Sequence, residues 1–453
     1  MNDQRSRAPR MVAEAGGVTE ARRAAAELCA DLRHGDLLDR ALDSRASGLD
    51  ARDRRWMQEL VYGMLRGRAA IDAYLDQRVR GGLARLDPDL IDLLRLGVYQ
   101  LLYMGSVPAY AAIAQTVELA KQRHGIGASR LANAVLRRVD RERESLELPS
   151  AGDPVDKLAL RYSHPRWLVA RWVARWGAEE TERLLAVNNS EASTVLRPFG
   201  IVREQLEATL ESAGARVEDV PLVSDSIRLG SGVALTELGA YRKGLFFVQD
   251  PGATLVTRYA SLPVDGDGLV AGLCAAPGGK VLELSRTATT VVASDRSIGR
   301  ARWMAENFRR VEARNVLTMV ADARHPAIRP VKAVLVDVPC TGTGTFRRHP
   351  DARWRLKVSD LAVMAALQRS ILRAAADVVK PGGVLVYSTC SLEPEENDAQ
   401  IESFLAERDD WHLEPPAEGA VHPSVLDAGR LRVLPQRHGT DGAFAARLRR
   451  ASE

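Results

Sequence analysis

The chain has 453 residues, of which 46% are hydrophobic and 27% are charged. This length suits about three domains, and the composition excludes a collagen, a disordered polymer and a disulfide scaffold. Lys and Arg number 63 against 59 Asp and Glu, which gives a net charge of +4. Such a balance neither requires nor excludes a nucleic acid partner, because local patches of charge bind phosphate.

The cysteine content predicts no metal site. No two cysteines have C-x-x-C spacing and no His has ligand spacing beside them, so we expect no bound metal. A few isolated cysteines are typical of a protein of the reducing cytoplasm. They are Cys29, Cys274, Cys340 and Cys390.

Two segments bear on membrane targeting. Residues Met1–Gly17 contain charges and lack the apolar core of a signal peptide. The uncharged stretch Leu96–Val117 is long enough to span a bilayer. However, Gly105, Ser106 and Pro108 interrupt it, which predicts two helices that meet at a turn. We therefore expect no membrane association.

The first third of the chain has a helical pattern. Over Thr19–Glu144, apolar residues recur at spacings of three and four without strand-like alternation. Asp87 before Pro88 is typical of a helix start. After a break at Ser150–Pro154, a further helix is predicted over Pro165–Leu184. Its tryptophans are expected to pack on a neighbouring element rather than stack on bases; they are Trp167, Trp172 and Trp176.

The pattern then changes twice. Short strands around one helix predict a small α+β module, with elements at Val195–Arg197, Arg203–Ala213, Val217, Ile227–Leu229 and Leu245–Gln249. Alternating strands and helices then predict a doubly wound parallel sheet. Its strands are expected at Gly268–Leu273, Thr290–Ser294, Val316–Ala321, Ala333–Val338 and Gly383–Thr389, and its helices at Lys280–Arg286, Ser297–Ala313 and Ser359–Val379. An antiparallel edge is expected from Trp411–Leu413, Leu431–Leu434 and Phe444–Leu448.

Open α/β sheets bind ligands beyond the carboxyl ends of their strands, so the residues after each strand are the candidates. The first strand is followed by the loop Cys274–Lys280, whose small residues and two glycines let a ligand approach the backbone near a helix N-terminus. Its spacing matches neither G-x-G-x-x-G nor a P-loop, which disfavours dinucleotides and nucleoside triphosphates. The alternative is a tight turn that needs glycine.

Two aspartates follow the next strands. Asp295 ends the second strand, where a carboxylate can bind ribose hydroxyls. Asp322 follows the third strand, where an adenine would lie. Each is alternatively a helix cap, with Ser297 a competing cap beside Asp295. Together with the loop, the two carboxylates predict a pocket for an adenosyl cofactor.

Two cysteines follow the fourth and fifth strands. Cys340 lies just after Asp337, and Cys390 ends the string YSTC, so both are expected to face one crevice. A lone cysteine is usually a small buried hydrophobe, and a disulfide between these two is a further alternative. Two cysteines at neighbouring strand ends with Asp337 alongside predict covalent chemistry through a thiolate.

Four strings of this chain resemble the RNA cytosine-C5 methyltransferases of the NOL/NOP/Sun group. They are CAAPGGK (Cys274–Lys280), DVPCTGTG (Asp337–Gly344), RRHPDARW (Arg347–Trp354) and YSTCSLEPEEN (Tyr387–Asn397). The helical region, with VPAYAAIAQTVELAK (Val107–Lys121), is similar to a NusB-like domain, a fusion that marks the RsmB/Sun ribosomal RNA enzymes. RYSHP (Arg161–Pro165) and FVQDPGA (Phe247–Ala253) extend the resemblance over nearly the whole chain.

The resemblance implies S-adenosylmethionine as methyl donor and assigns roles to the candidate residues. It implies cofactor contacts from Cys274, Ala275, Ala276, Pro277, Gly278, Gly279, Lys280, Asp295, Asp322 and Asp337, the last shared with the target base. It also implies Cys390 as the nucleophile that adds to C6 of cytosine and Cys340 as a helper in product release. One departure is Gly272, which stands where the family usually has Asp.

The resemblance and the element pattern together predict the domain organisation. We expect a flexible N-terminus at residues 1–18 and an all-α NusB-like RNA-binding domain at 19–148. A linker helix with the small α+β RNA-binding module is expected at 149–262. The segment 263–453 is expected to be a Rossmann-like class I methyltransferase domain.

Some basic residues have two interpretations. Arg347, Arg348 and His349 follow the Cys340 loop and are expected to contact phosphates at the pocket mouth, with a solvated turn as the alternative. Lys280 either holds a carboxylate or caps a helix turn. A solvated tail is expected at Arg447, Arg449 and Arg450.

The function that these features predict is methylation of C5 of a specific cytosine in 16S ribosomal RNA. The RNA is expected as free or early-assembly rRNA, and the protein as a monomer. One alternative is methylation of a tRNA or DNA cytosine, although enzymes that act on DNA place the nucleophile in a Pro-Cys motif. The other alternative is a non-catalytic RNA-binding assembly factor.

Overall fold

The computed structural model describes residues 17–149, 152–230, 233–262 and 268–452. The chain divides into two compact units. The first holds the described residues up to Thr181 together with His349–Trp354, and the second holds Glu182–Arg348 and the described residues from Arg355 onward. Most of the expected N-terminal segment, residues 1–16, lies outside the described residues, as do residues 150–151 and 263–267 next to two expected domain boundaries.

The first unit is helical, as its apolar spacing predicts. Its helices are α1 Glu20–Arg33, α2 Leu38–Arg45, α3 Ala51–Arg66, α4 Arg68–Asp76, α5 Pro88–Tyr103, α6 Ala109–Glu142, α7 Pro154–Arg161, α8 Arg166–Trp176 and α9 Ala178–Asn189, which continues into the second unit. Leu28, Leu60, Leu94 and Leu136 are fully buried in one hydrophobic core that helices α1 to α6 share. The apolar faces thus pack inward around a common centre.

The uncharged stretch Leu96–Val117 is divided between two helices, as its turn residues predict. Helix α5 begins at Asp87, whose carboxylate accepts a hydrogen bond from the backbone N–H of Asp89. A turn at residues 104–108 then separates α5 from α6. A Cβ on Gly97 would lie 2.9 Å from a methyl carbon of Leu136, so glycine allows the two helices to pack closely. In the described residues, no helix combines the length and apolarity needed to cross a membrane.

The single helix expected over Pro165–Leu184 is wrong. Helix α8 ends at Trp176 and α9 begins at Ala178, because Gly177 has a φ of +79° that a regular helix does not allow. Trp172 is 1% exposed and contacts the His164 ring edge-on, which confirms packing for that side chain.

The second unit begins with the small module. Its elements are β1 Thr194–Pro198, α10 Arg203–Ser212, β2 Val217–Asp219, β3 Ile227–Leu229, α11 Gly239–Arg242 and β4 Phe246–Val248. The strands lie in the order β2-β3-β1-β4 and pair antiparallel. Leu206 and Leu210 of α10 share a buried core with Leu196 and Ile227 of the strands. This is the α+β module that the sequence predicts.

A larger mixed sheet follows. Its elements are α12 Pro251–Ala260, β5 Leu269–Leu273, α13 Gly279–Leu284, β6 Thr290–Asp295, α14 Ile298–Arg310, β7 Val316–Val320, β8 Val331–Asp337, α15 Ala352–Arg355, α16 Val358–Asp377, β9 Val379–Thr389, α17 Asp398–Glu407, β10 Trp411–Leu413, β11 Leu426–Asp427, β12 Arg430–Val433, α18 Pro435–His438 and β13 Ala443–Arg450. The strand order is β11-β12-β13-β9-β8-β5-β6-β7, and β10 pairs with β13.

The parallel half of this sheet positions the candidate site. The chain runs outward from β5 through β6 to β7 and then returns to β8 on the other side of β5. The strand order therefore reverses between β5 and β8, and ligands of open α/β sheets bind beyond the carboxyl ends at such a switch point. The expected antiparallel edge is confirmed, because β13 pairs antiparallel with β9, β12 and β10.

The solvated tail expected at Arg447, Arg449 and Arg450 is wrong. All three residues belong to β13. Arg447 and Arg449 form ion pairs with Glu414, the latter at 3.0 Å, and Arg450 lies 3.3 Å from a carboxylate oxygen of Asp410. The partners come from the segment around β10, which only the pairing of β10 with β13 brings close.

We expect the Leu385→Ala substitution to lower the free energy of unfolding of the second unit by about 2–5 kcal/mol, because it leaves a cavity in a packed core. Leu385 is fully buried and lies opposite Val334 of β8 and Leu448 of β13. Hydrogen exchange of the β8 and β9 amides measures the loss. Leu317→Ala, on the edge strand β7 where the side chain is 58% exposed, is the control and is expected to change protection by less than about 0.5 kcal/mol. Equal effects of the two substitutions would contradict the assigned core.

Candidate active site

The loop after β5 turns sharply into α13. Cys274 has a φ of +54°, and Gly278, with a φ of +106°, precedes the first helical residue. The backbone N–H of Ala275 donates to the carbonyl of Ser294 on β6 at 2.8 Å. The loop is therefore tied to the carboxyl end of the neighbouring strand.

The two glycines of this loop are needed for packing against the protein itself. A Cβ on Gly278 would lie 2.7 Å from a ring carbon of Phe308, and a Cβ on Gly279 would lie 2.9 Å from the amide nitrogen of Gln249. The alternative of a tight turn that needs glycine describes Gly278, which has a positive φ, whereas Gly279 already belongs to α13. Close approach of a ligand to this backbone stays a prediction.

Asp295 lies at the end of β6 with its side chain 6% exposed. Its carboxylate accepts a hydrogen bond from the backbone N–H of Ser297 at 2.9 Å and lies 3.4 Å from the guanidinium of Arg300. The hydroxyl that caps α14 belongs to Ser297. Asp295 is therefore not the N-cap of α14. It lies next to Ser294, the residue to which the β5 loop is hydrogen-bonded.

Asp322 follows β7 and forms an ion pair with Arg324. Its carboxylate accepts a hydrogen bond from the Arg324 guanidinium at 2.6 Å and another from the Arg324 backbone N–H at 3.0 Å. These hydrogen bonds hold the pKa of Asp322 well below its usual range. Asp322 thus carries a negative charge at the carboxyl edge of the sheet.

The three aspartates act together on Cys274. Burial raises the pKa of the Cys274 thiol to about 12, and the negative charges of Asp337, Asp295 and, more weakly, Asp322 add to this effect. Cys274 is consequently a neutral thiol at physiological pH.

Lys280 and Asp337 form an ion pair inside the crevice. The Lys280 Nζ donates to Asp337 Oδ2 at 2.7 Å, and the Ser388 hydroxyl donates to Asp337 Oδ1 at 3.0 Å. Burial lowers the pKa of Lys280, but the Asp337 carboxylate outweighs it and the pKa is raised overall. Of the two interpretations of Lys280, holding a carboxylate is the one observed.

Cys340 and Cys390 are brought together. They follow the adjacent parallel strands β8 and β9, and their sulfur atoms lie 3.2 Å apart as free thiols. The hydrogen bond to Cys390, followed by burial, raises the pKa of Cys340 well above its usual value. Either sulfur can donate in this contact, so the two thiols form one hydrogen-bonded pair beyond the strand ends.

Glu396 is a buried carboxylate that the sequence reasoning missed. It lies in a single 3₁₀ turn, Pro394–Glu396, and is fully buried. The backbone N–H of Thr341 donates to its Oε1 at 2.9 Å, and the hydroxyls of Thr341 and Ser391 donate to its Oε2. The string LEPEEN contains three glutamates, of which Glu393 and Glu396 are buried, and the sequence alone does not tell which of them binds Thr341 and Ser391.

Arg347 and Arg348 bind carboxylates of the second unit. The Arg348 guanidinium donates to Asp250 at 2.7 Å and to Asp441 at 2.6 Å, and Arg347, 9% exposed, lies 3.4 Å from Asp441. Neither the expected phosphate contact nor a solvated turn describes these two side chains. Burial and the nearby Asp250 charge raise the pKa of Asp441 to about 6. His349 lies in the first unit, 3.3 Å from Asp39.

No group of three or more His, Cys, Asp or Glu side chains in the described residues is arranged to hold a metal ion.

The carboxyl edge of the sheet, with its reversed strand order and acidic strand ends, defines a Rossmann-like methyltransferase domain. Residues 260–449 match the family model described as 16S rRNA methyltransferase RsmB/F. Residues 19–141 match the NusB family, and residues 164–236 match the ferredoxin-like domain of RsmF/B-like methyltransferases.

Comparisons over the whole chain agree. The Synechocystis protein named "Probable ribosomal RNA small subunit methyltransferase B" is 35% identical, with 91% of this chain and 94% of that protein covered. Ribosomal RNA small subunit methyltransferase B of Vibrio cholerae is 34% identical, with 92% and 94% covered. A crystal structure of the protein PH0851 superposes with a TM-score of 0.80 and 26% identity, covering 95% of this chain and 98% of that one. The chain belongs to the ribosomal RNA small subunit methyltransferase B family.

We expect Gly344→Ala to destabilise the second unit and to displace the Cys390 loop. The backbone N–H of Gly344 donates to the Cys390 carbonyl at 3.0 Å, and an added Cβ would lie 2.7 Å from that oxygen and 2.8 Å from the Cα of Gly442. Backbone atoms on both sides leave no room, so a melting temperature several degrees lower is expected.

Calorimetry of the intact chain measures this change. Gly239→Ala is the matched control, because a Cβ there meets no atom within 4 Å. An unchanged melting temperature for Gly344→Ala would contradict the close backbone contact.

Proposed function

We propose that this chain methylates C5 of a specific cytosine in small-subunit ribosomal RNA, with S-adenosylmethionine as methyl donor and Cys390 as nucleophile. The observation that carries the proposal is the pair of free thiols, Cys340 and Cys390, with sulfur atoms 3.2 Å apart beyond two adjacent strands. Asp337, held by Lys280, lies on the strand end just before Cys340. Membership of the ribosomal RNA small subunit methyltransferase B family supports the substrate class.

The chemistry of the donor set fits S-adenosylmethionine. The ligand carries a positive sulfonium and a ribose diol, and Asp295, Asp322 and Asp337 provide negative charge around the β5 loop. A carboxylate at the end of the second parallel strand is suited to ribose hydroxyls, which is the position of Asp295. When bound, the cofactor supplies an electrophilic methyl group.

Cys390 would make the cytosine reactive. C5 of cytosine is a poor nucleophile, and addition of the Cys390 thiolate to C6 gives C5 the character of an enamine carbon that can attack a methyl group. The family resemblance assigns the nucleophile to Cys390, whose sulfur lies 3.2 Å from that of Cys340. The target base must leave its stack to reach the sulfur.

Asp337 would orient the base. Its carboxylate oxygens are held by the Lys280 ammonium and the Ser388 hydroxyl, so the remaining lone pairs have a fixed direction. A carboxylate in that place can accept a hydrogen bond from the exocyclic amine of cytosine and stabilise the charge that develops as the thiolate adds. This is the same residue to which the family resemblance assigns the base side of the pocket.

Cys340 would assist release of the product. After methyl transfer, a base removes the C5 proton, the C5–C6 double bond forms again, and the C6–S bond breaks with its electron pair returning to the Cys390 sulfur. Cys340, whose sulfur lies 3.2 Å from that sulfur, is in position to stabilise the departing thiolate. A neutral thiol next to the leaving group serves this purpose better than a second thiolate would, because two adjacent negative charges repel.

Two observations bear on the alternatives. Gly272 stands on β5, which pairs with β6 and β8 on either side. The departure at Gly272 therefore does not disturb the strands that end at Asp295 and Asp337, and this favours an enzyme over a scaffold that has lost its cofactor site. The printed names of the relatives support ribosomal rather than transfer RNA as the substrate.

We expect the intact chain to transfer label from S-adenosylmethionine to cytosine in unmodified small-subunit rRNA. Cys390→Ala is expected to abolish this transfer, because no adduct at C6 can form without the thiolate. Nucleoside analysis of the labelled rRNA identifies the methylated base, and an unmodified tRNA pool serves as the competing substrate.

Cys340→Ala is the matched comparison, since it removes a thiol of the same size 3.2 Å away. It is expected to retain covalent addition and to accumulate a protein–RNA complex that survives denaturation. Loss of addition in Cys340→Ala with retention in Cys390→Ala would reverse the two roles. Label on no RNA cytosine from the intact chain would overturn the proposed reaction.

A further inference from the structure

The residues that directly follow the two cysteines share one partner. Thr341 follows Cys340, and Ser391 follows Cys390; the hydroxyls of both donate to Oε2 of Glu396. The backbone N–H of Thr341 also donates to Oε1 at 2.9 Å. One carboxylate thus joins the loop after β8 to the loop after β9.

Gln368 of α16 extends this connection to the other side of Cys340. Its side-chain amide donates to the carbonyl of Pro339 at 2.9 Å and to Glu396 Oε1 at 2.9 Å. Pro339 precedes Cys340 and Thr341 follows it, so the backbone is held on both sides of the cysteine. Gln368 is itself fully buried.

Glu396 is firmly held in place. The Tyr387 hydroxyl donates to its backbone carbonyl at 2.7 Å. The next residue, Asn397, accepts from the Thr389 hydroxyl at 2.6 Å and donates to the Ser391 carbonyl at 2.8 Å. The position of the carboxylate is therefore set by β9 and the Cys390 loop together.

An acidic side chain is unusual in a core. Among the described residues, every hydrogen bond to the Glu396 side chain comes from a neutral amide or hydroxyl. Burial of a carboxyl group without a cation is costly. Neutral side chains could make the same connections between the loops, so an acidic residue at this place indicates a role beyond packing.

We propose that Glu396 is a positioning residue for the reaction: it fixes the separation of the Cys340 and Cys390 sulfur atoms through its hydrogen bonds with Thr341 and Ser391. The part that Glu396 plays in catalysis rests on the proposed function. Its effects on the two loops and on the ionisation of Cys340 do not depend on which reaction the protein catalyses.

A second effect of Glu396 on Cys340 is electrostatic. Four causes raise the pKa of Cys340. In order of size they are the hydrogen bond to Cys390, burial, the charge of Cys390 and the charge of Glu396. A neutral group in place of Glu396 removes one of these contributions. The pKa of Cys340 then falls, and its thiolate forms at lower pH.

The test compares Glu396→Gln with Glu402→Gln. The first substitution keeps the shape of the side chain and removes its charge, and the hydroxyls of Thr341 and Ser391 can turn to accept from the new amide. The second removes a carboxylate that is 66% exposed on α17. Calorimetry and S-adenosylmethionine titration of both intact variants check that fold and cofactor binding persist.

Single-turnover methyl transfer to small-subunit rRNA is the first readout. Glu396→Gln is expected to lower the rate by about 10–100-fold, because displacement of a reacting group by about 1 Å costs a factor of that order. Glu402→Gln is expected to react at the rate of the unsubstituted chain. An unchanged rate in Glu396→Gln would overturn the positioning role.

Alkylation of Cys340 by iodoacetamide as a function of pH is the second readout, in a Cys390→Ala background that lacks the second active-site thiol. Adding Glu396→Gln is expected to lower the midpoint pH for Cys340 by about one unit, since a nearby buried charge shifts a pKa by that order. Ser391→Ala, which removes a donor and keeps the carboxylate, is expected not to lower this midpoint.

The same midpoint with and without Glu396→Gln would overturn the charge effect. Mass spectrometry of the Cys340 peptide separates it from Cys29 and Cys274.

The two readouts distinguish this inference from the proposed function. Alkylation needs neither RNA nor cofactor, so a shifted midpoint supports the electrostatic role even if no cytosine is methylated. A protein that methylates rRNA with an unshifted midpoint and an unchanged Glu396→Gln rate refutes the inference and leaves the proposed function intact.

Discussion

The parallel pairing of β8 with β9 is the constraint on which the candidate site depends. Asp337 lies opposite Ser388 in this register, so the two strands end side by side at the same edge of the sheet. Cys340 and Cys390 then follow within a few residues and meet at 3.2 Å. A slip of one residue would turn each side chain of one strand to the opposite face of the sheet, and the Ser388 hydroxyl would no longer reach Asp337.

Buried ion pairs hold the elements around this register. Arg197 of β1, 2% exposed, donates to both carboxylate oxygens of Glu283 at 3.0 and 2.7 Å and so joins the small module to α13. Arg348 joins the segment after Cys340 to Asp250 and Asp441. Removal of one partner from such a pair leaves an uncompensated buried charge, which costs about 3–5 kcal/mol. These pairs orient the loops that carry the proposed cofactor and base contacts.

Much of the fold could be predicted from local patterns. Apolar periodicity and turn residues predicted the helical region Thr19–Glu144, the break in Leu96–Val117 and the strands β5 to β9, because these signals depend on neighbours within a few residues. Helices α7, α12 and α17 were not predicted. The break at Gly177 was missed, since an isolated glycine within a helical pattern is often tolerated. The partners of Arg447 and Arg348 were missed because they lie on strands and loops far away in sequence.

For the candidate site, the sequence by itself determined the residue types: two cysteines and acidic residues at the ends of successive parallel strands, in strings that mark the family. The tertiary structure decided the contacts. It joined Glu396 to the loops after both cysteines, paired Lys280 with Asp337, brought the sulfur atoms of Cys340 and Cys390 together, and directed Arg347 and Arg348 to carboxylates. The physical reason is that secondary structure follows from short-range periodicity, whereas the ionisation and orientation of a side chain depend on burial and on charges that only folding brings near.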